Sequence, residues 1–108
     1  MNFSSDWSYA QSDPSQQLAR LHFFSIMKPH AGGEIEVTIT VKEFATPADP
    51  AMPFFAQADK QTNQNVAPYT PSGWGKTMLE ALLECVKELN RFPYQGEPAA
   101  KPGEVTTV

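Results

Sequence analysis

The stretch that most constrains this chain covers residues 73–93, GWGKTMLEALLECVKELNRFP. Thr77 precedes the apolar run and Glu80 follows three residues later. At that spacing a hydroxyl and a carboxylate each satisfy a backbone N–H left open by the first turn of a helix. Leu, Glu, Ala and Lys, all good helix formers, carry the segment onward. Pro93 cannot join the hydrogen-bond ladder and ends it. On a helical projection Met78, Leu82, Cys85, Val86, Leu89 and Phe92 make a central apolar stripe, and Leu79 and Leu83 widen it on one flank. Glu80, Glu84, Lys87, Glu88 and Arg91 hold the other side. So short a helix is stable only when its stripe is buried against something else. The rest of the chain must supply that surface.

The upstream segments read as sheet. Residues 34–44, EIEVTITVKEF, alternate strictly, with Ile35, Val37, Ile39 and Val41 on one face and Glu36, Thr38, Thr40 and Lys42 on the other. That pattern predicts a strand with one buried and one wet face. Residues 20–28, RLHFFSIMK, read as a second strand that is apolar in part on both faces. The PHAGG cluster at 29–33 is a turn, so the two strands pair as an antiparallel hairpin. Pro47, Pro50 and Pro53 interrupt regular structure before a third strand expected at 54–61, where Phe54, Ala56 and Ala58 share a face. Small Ala side chains there let a helix approach closely. Residues 62–76 read as a long loop.

The expected fold is therefore α+β, a three-stranded antiparallel sheet followed by one amphipathic helix. The domain spans 18–92, between a polar tail at 1–17 and a Pro/Gly-rich tail at 93–108 whose last residues, 105–108, suit a short edge strand. Phe3, Trp7 and Tyr9 interrupt the first tail. They either fray with it or dock on exposed apolar surface.

Composition narrows the function by exclusion. The chain of 108 residues carries eight Lys and Arg against twelve Asp and Glu, with no basic cluster. Nucleic acid is thus not the expected partner. A single cysteine excludes an intramolecular disulfide framework. No segment resembles a signal peptide or a membrane span, which leads to the expectation of a soluble, cytoplasmic protein without membrane contact. His22, His30 and Cys85 lack the spacing of a metal set, and Cys85 falls on the buried stripe. No nucleophile or acid–base constellation stands out, so no catalytic residue and no cofactor is assigned. Gly75-Lys76-Thr77 invites comparison with a phosphate-binding loop, but Thr70 stands where that pattern needs glycine.

Two features remain as candidates. Tyr69, Gly73, Trp74, Gly75, Lys76 and Thr77 form an aromatic loop running into the helix start, where free N–H groups and the helix dipole favour an anion or small ligand. The plainer expectation is that Trp74 folds back to plug the end of the core, while the glycines shape the turn and Thr77 caps. Leu79 and Leu83 are the candidate interface, because the apolar stripe is broader than three strands cover. A core this small also gains from a partner subunit. The leading expectation is an interaction or regulatory module acting through protein contacts, as a homo-oligomer or with a protein partner. The alternative is a small-ligand or anion binder using loop 66–76 and the helix start.

The run Gly75-Lys76-Thr77-Met78-Leu79-Glu80-Ala81-Leu82, continuing to Cys85 and Leu89, resembles the G-x-T-x-x-E-A-L helix start of HicB-like antitoxins. The resemblance implies strands ahead of this helix, a helix packed on their face, and binding of a small toxin partner. The family's aspartate-leucine-proline-glycine segment before the helix is absent, and no DNA-binding module follows. The order of strands and helix is also similar to the second part of a double-stranded RNA-binding domain. That family's lysine pair at the start of the last helix is replaced here by Met78 and Leu79.

Overall fold

A computed structural model of the chain describes residues 3–96, with side chains from Asp6 onward. The edge strand expected at 105–108 and most of the C-terminal tail lie outside the described residues. The architecture is α+β, with an antiparallel sheet and one helix, as the patterning predicts. The sheet has four strands rather than three: β1 (Ala19–His30), β2 (Gly33–Phe44), β3 (Phe54–Ala58) and β4 (Ser72–Gly75), in that spatial order. The helix, α1, spans Met78–Leu89, and a 3-10 helix over Phe3–Ala10 precedes β1.

β1 and β2 form the expected hairpin, in unbroken register from Ala19 opposite Phe44 to His30 opposite Gly33. Gly33 adopts φ 129°, a value that side chains other than hydrogen rarely tolerate, and this lets the chain reverse tightly. Alternation in β2 resolves as expected. Val37, Ile39 and Val41 are buried, and Ala56 and Ala58 of β3 stand beside them on the same face. β3 is shorter than the expected 54–61, because at Asp59 the side chain replaces the backbone carbonyl in the ladder, its carboxylate accepting the Thr38 N–H at 3.0 Å while the Asp59 N–H donates to the Thr38 carbonyl at 2.9 Å.

The extra strand corrects the reading of 62–76 as loop. β4 is Ser-Gly-Trp-Gly, a composition that intrinsic strand preference argues against. Its glycines are required by packing. A Cβ on Gly73 would lie 2.5 Å from the Glu84 Cβ and 2.8 Å from the Cys85 backbone nitrogen. At Gly75 it would collide with the Ala81 backbone nitrogen and with the Glu80 Cβ. The helix backbone thus lies directly on the bare β4 backbone.

That contact rotates the helix relative to its apolar stripe. The fully buried line is Ala81, Cys85 and Leu89, one residue every helical turn, while Met78, Leu82 and Val86 are half-buried at its margin. Ala81, which the stripe reading passes over, is buried because only a small side chain fits against Gly73 and Gly75. α1 therefore packs chiefly on β4 and β3 and reaches β2 only lightly.

Both helix ends are satisfied locally. Thr77 Oγ1 accepts the Glu80 N–H at 3.1 Å, and the Glu80 carboxylate reaches back to accept the Lys76 N–H at 2.8 Å. Glu80 thus serves the residue before the cap rather than the cap itself. Thr77→Ala is expected to cost about 1 kcal/mol, read as a lower midpoint in thermal melts; superimposable melts would remove Thr77 from the cap. Beyond the helix the chain is tied back onto the loop after β3. Asn63 N–H donates to the Pro93 carbonyl at 2.8 Å, and Asn65 and Gln95 are linked at 2.6 Å. Tyr94 is buried, its ring edge-on to His30 at 5.1 Å. The compact unit accordingly extends past residue 92, where the sequence reading ended it.

Candidate functional site

Five of the six expected site residues gather along one groove. Tyr69, Gly73, Trp74, Gly75 and Lys76 line a concavity of about 720 Å³ beside the open edge of β4, together with Met52, Ser72, the helix side chains Glu80, Glu84 and Glu88, and Arg91 just past the helix. Thr77 is not among the lining residues and is engaged in the cap. Because β4 carries no side chain toward the helix, the groove is walled by helix glutamates and floored by strand backbone. Glu84 is bridged to Lys87 and Glu88 to Arg91, each at 3.3 Å.

Tyr69 closes the far end. Its hydroxyl donates to the Glu88 carboxylate at 2.5 Å. This bond favours the charged carboxylate and the neutral phenol together. It therefore holds Glu88 below the usual carboxylate range and is the largest cause raising Tyr69 above the usual phenol value. Thr77 takes the Glu80 N–H of the first turn, the Glu80 carboxylate takes the Lys76 N–H ahead of the cap, and the adjoining wall carries carboxylates. The charged lining is net acidic by one, Glu80, Glu84 and Glu88 against Lys76 and Arg91.

Trp74 does not plug the core. The pairing register sets Phe55 opposite Trp74 and Lys42 opposite Phe55, so Trp74 lies on the face of the sheet away from the helix. There it sits 4.6 Å from Phe55 and 6.2 Å from Phe44 between ring centroids, and stays 50% exposed. The alternation of β4 dictates this, since residues on either side of Trp74 must present glycine to the helix.

Cys85 is fully buried, and burial pushes its thiol up to about 11. It is a core residue without nucleophilic character at neutral pH. Among the described residues, no three His, Cys, Asp or Glu side chains are placed to share a metal ion. Also among them, no helix is long and apolar enough to cross a membrane. Glu43 forms a small polar cluster at the start of β1, accepting from His22 at 3.0 Å and Arg20 at 3.4 Å. The Arg20 guanidinium in turn lies over the Trp7 ring, 5.3 Å from its centroid.

The candidate interface residues are open. Leu79 is 63% exposed and Leu83 56% exposed, on the side of α1 away from the β4 groove. Trp7 docks elsewhere, beside Glu43, Phe44 and Phe54, and Tyr9 points outward, so neither covers this flank. β1 is apolar in part on both faces, as expected, and its outer side leaves Leu21, Phe23 and Met27 exposed, a surface that sequence reasoning did not name as a candidate site. The signal was present, because Leu, Phe and Met fall at alternate positions there while Phe24 and Ile26 occupy the other set.

In comparisons with known proteins, no family model, no curated protein and no solved structure matches this chain.

Proposed function

We propose that this protein is an interaction module that works through protein–protein contacts and associates with itself. The observation that carries the reading is the mismatch between sheet and helix. Four strands at about 4.8 Å spacing span roughly 19 Å, room for two helices each about 10 Å across. The chain supplies one, seated on β3 and β4. Over β1 and the start of β2 the inner face keeps Phe24, Ile26 and Ile35 only half-buried, while Val37, Ile39 and Val41 farther along β2 are covered, and the flank of α1 exposes Leu79 and Leu83. An apolar floor with an apolar wall is a surface that a second polypeptide covers. The resemblance of the helix start to HicB-like antitoxins, which bind a small protein partner, points the same way.

The second reading, a small-ligand binder, rests on the β4 groove with Tyr69, Trp74 and Lys76. Native mass spectrometry combined with sedimentation discriminates between the two. A homo-oligomer, or a retained protein partner, without a small adduct supports the interaction module. A monomer that carries a small bound mass supports the ligand binder and overturns self-association.

A further inference from the structure

β1 has the side-chain pattern of a strand from the middle of a sheet, yet it stands at the edge. Phe24 and Ile26 point to the helix face, and Leu21, Phe23 and Met27 to the other. Strands that are apolar on both faces are ordinarily flanked on both sides. Edges that remain open are blunted by shortness, by bulges, or by outward Lys and Pro. β1 instead runs 12 residues in continuous register with β2, and Arg20, Lys28 and Pro29 lie near its ends, leaving the centre without charge.

We infer that a second copy of this chain occupies that edge, β1 against β1, antiparallel about a twofold axis through Ser25. The result is one eight-stranded sheet with both helices on the same face. This rests on the self-association reading above and adds to it the strand, the direction and the register.

The register follows from self-complementarity, which a twofold contact demands. With the axis at Ser25, Phe24 faces the partner's Ile26 on the helix side, and Phe23 faces the partner's Met27 on the outer side. Each of these contacts occurs twice, and apolar meets apolar on both faces. Moving the axis to Phe24 sets Arg20 against the partner's Lys28 and Phe23 against the partner's Ser25, a like-charge pair and an unmatched ring. Moving it to Phe23 sets Phe24 against the partner's His22 and Leu21 against the partner's Ser25. At Ser25, each Lys28 stands across from the partner's His22, the side chain bonded to Glu43. No ion pair among the described residues involves Lys28, so the pairing brings it toward a carboxylate. Pairing over residues 20–30 hides on the order of 1,000 Å² across the two copies, the lower bound for a stable interface. The half-buried Phe24 and Ile26 of the two copies become one continuous apolar strip across the axis, with a helix and its Leu79 and Leu83 flank on either side.

Cysteine cross-linking reads the register directly. Directly opposed residues in an antiparallel pair have Cα atoms about 4.5–5.5 Å apart, within the span a disulfide bridges. Under mild oxidation Ser25→Cys is expected to convert most of the chain to a linked dimer, whereas the wild type, with only the buried Cys85, stays unlinked. Phe23→Cys and Met27→Cys are each expected to stay unlinked alone, because the two copies of either residue lie roughly 13 Å apart along the strands. Mixing those two variants is expected to link them to each other, a result independent of any change at Ser25. Sedimentation of the wild type separates the two levels of the proposal. A dimer in which neither Ser25→Cys nor the mixed pair links overturns the β1 pairing and leaves self-association standing. Linking of Phe23→Cys alone overturns the register. A monomer at every concentration overturns both.

Discussion

Gly73→Ala is expected to unseat the helix from the sheet. The added methyl would stand 2.5 Å from the Glu84 Cβ, 2.8 Å from the Cys85 nitrogen and 2.9 Å from the Ala81 carbonyl oxygen. Two of these three atoms are helix backbone and cannot rotate away as a side-chain tip can. Relief requires α1 to lift along its length, which opens the contacts of Ala81 and Cys85 with β3 and β4. Overpacking of this kind costs about 3 kcal/mol, and in a domain of this size that lowers the melting midpoint by about 15 °C. Gly32→Ala is the control. Its nearest neighbour is the His30 ring at 3.1 Å, a side-chain tip rather than helix backbone, beside an exposed turn. A Gly73→Ala protein that melts with the wild type would mean that α1 is not seated on β4 as described.

Leu89→Ala is expected to be the most damaging deletion in the helix. Leu89 is fully buried in the last turn and belongs to the apolar cluster of Val37, Ile39, Val41, Ala56, Ala58, Ala81 and Cys85. Two of the sheet-side members are alanine, so little neighbouring bulk can move in to fill the space. Large-to-small changes at such sites cost about 2–5 kcal/mol. A small domain holds only about 5 kcal/mol or slightly more in total, so the variant should be largely unfolded at body temperature. Leu83→Ala, on the exposed flank, is expected to alter chain stability by about 0.5 kcal/mol or less. Urea titration of both variants checks the contrast; equal losses would place Leu83 in the same core as Leu89.

The helix start was legible in the sequence, because its determinants are local; its end was not, since the apolar stripe runs on to Phe92 while the helix closes at Leu89 with Asn90 as its cap. Thr77 and Glu80 act across one turn, whatever the remainder of the chain does. The β1–β2 hairpin was legible for a similar reason, since alternation with β-branched residues and a glycine turn between two apolar runs act over short range. The inward set Val37, Ile39 and Val41 followed from period two alone, as did Ala56 and Ala58 as the close-approach face of β3.

β4, the rotation of α1 and the end of the domain were decided only in three dimensions. Ser-Gly-Trp-Gly has weak intrinsic strand preference, and its backbone is held extended by pairing with β3 and by a helix that no side chain would admit. The same contact turns Ala81 inward and leaves Leu79 and Leu83 in solvent, although the projected stripe places both leucines at its margin. Of the candidate site, the loop and helix start were legible as a cluster because they are contiguous in sequence. The carboxylate wall and the Tyr69–Glu88 bond were not, since they join residues 19 positions apart. Nor did the sequence tell which side of β1 would be left open: a strand's own residues set its two faces, but strand order, and with it the exposed edge, belongs to the packed sheet.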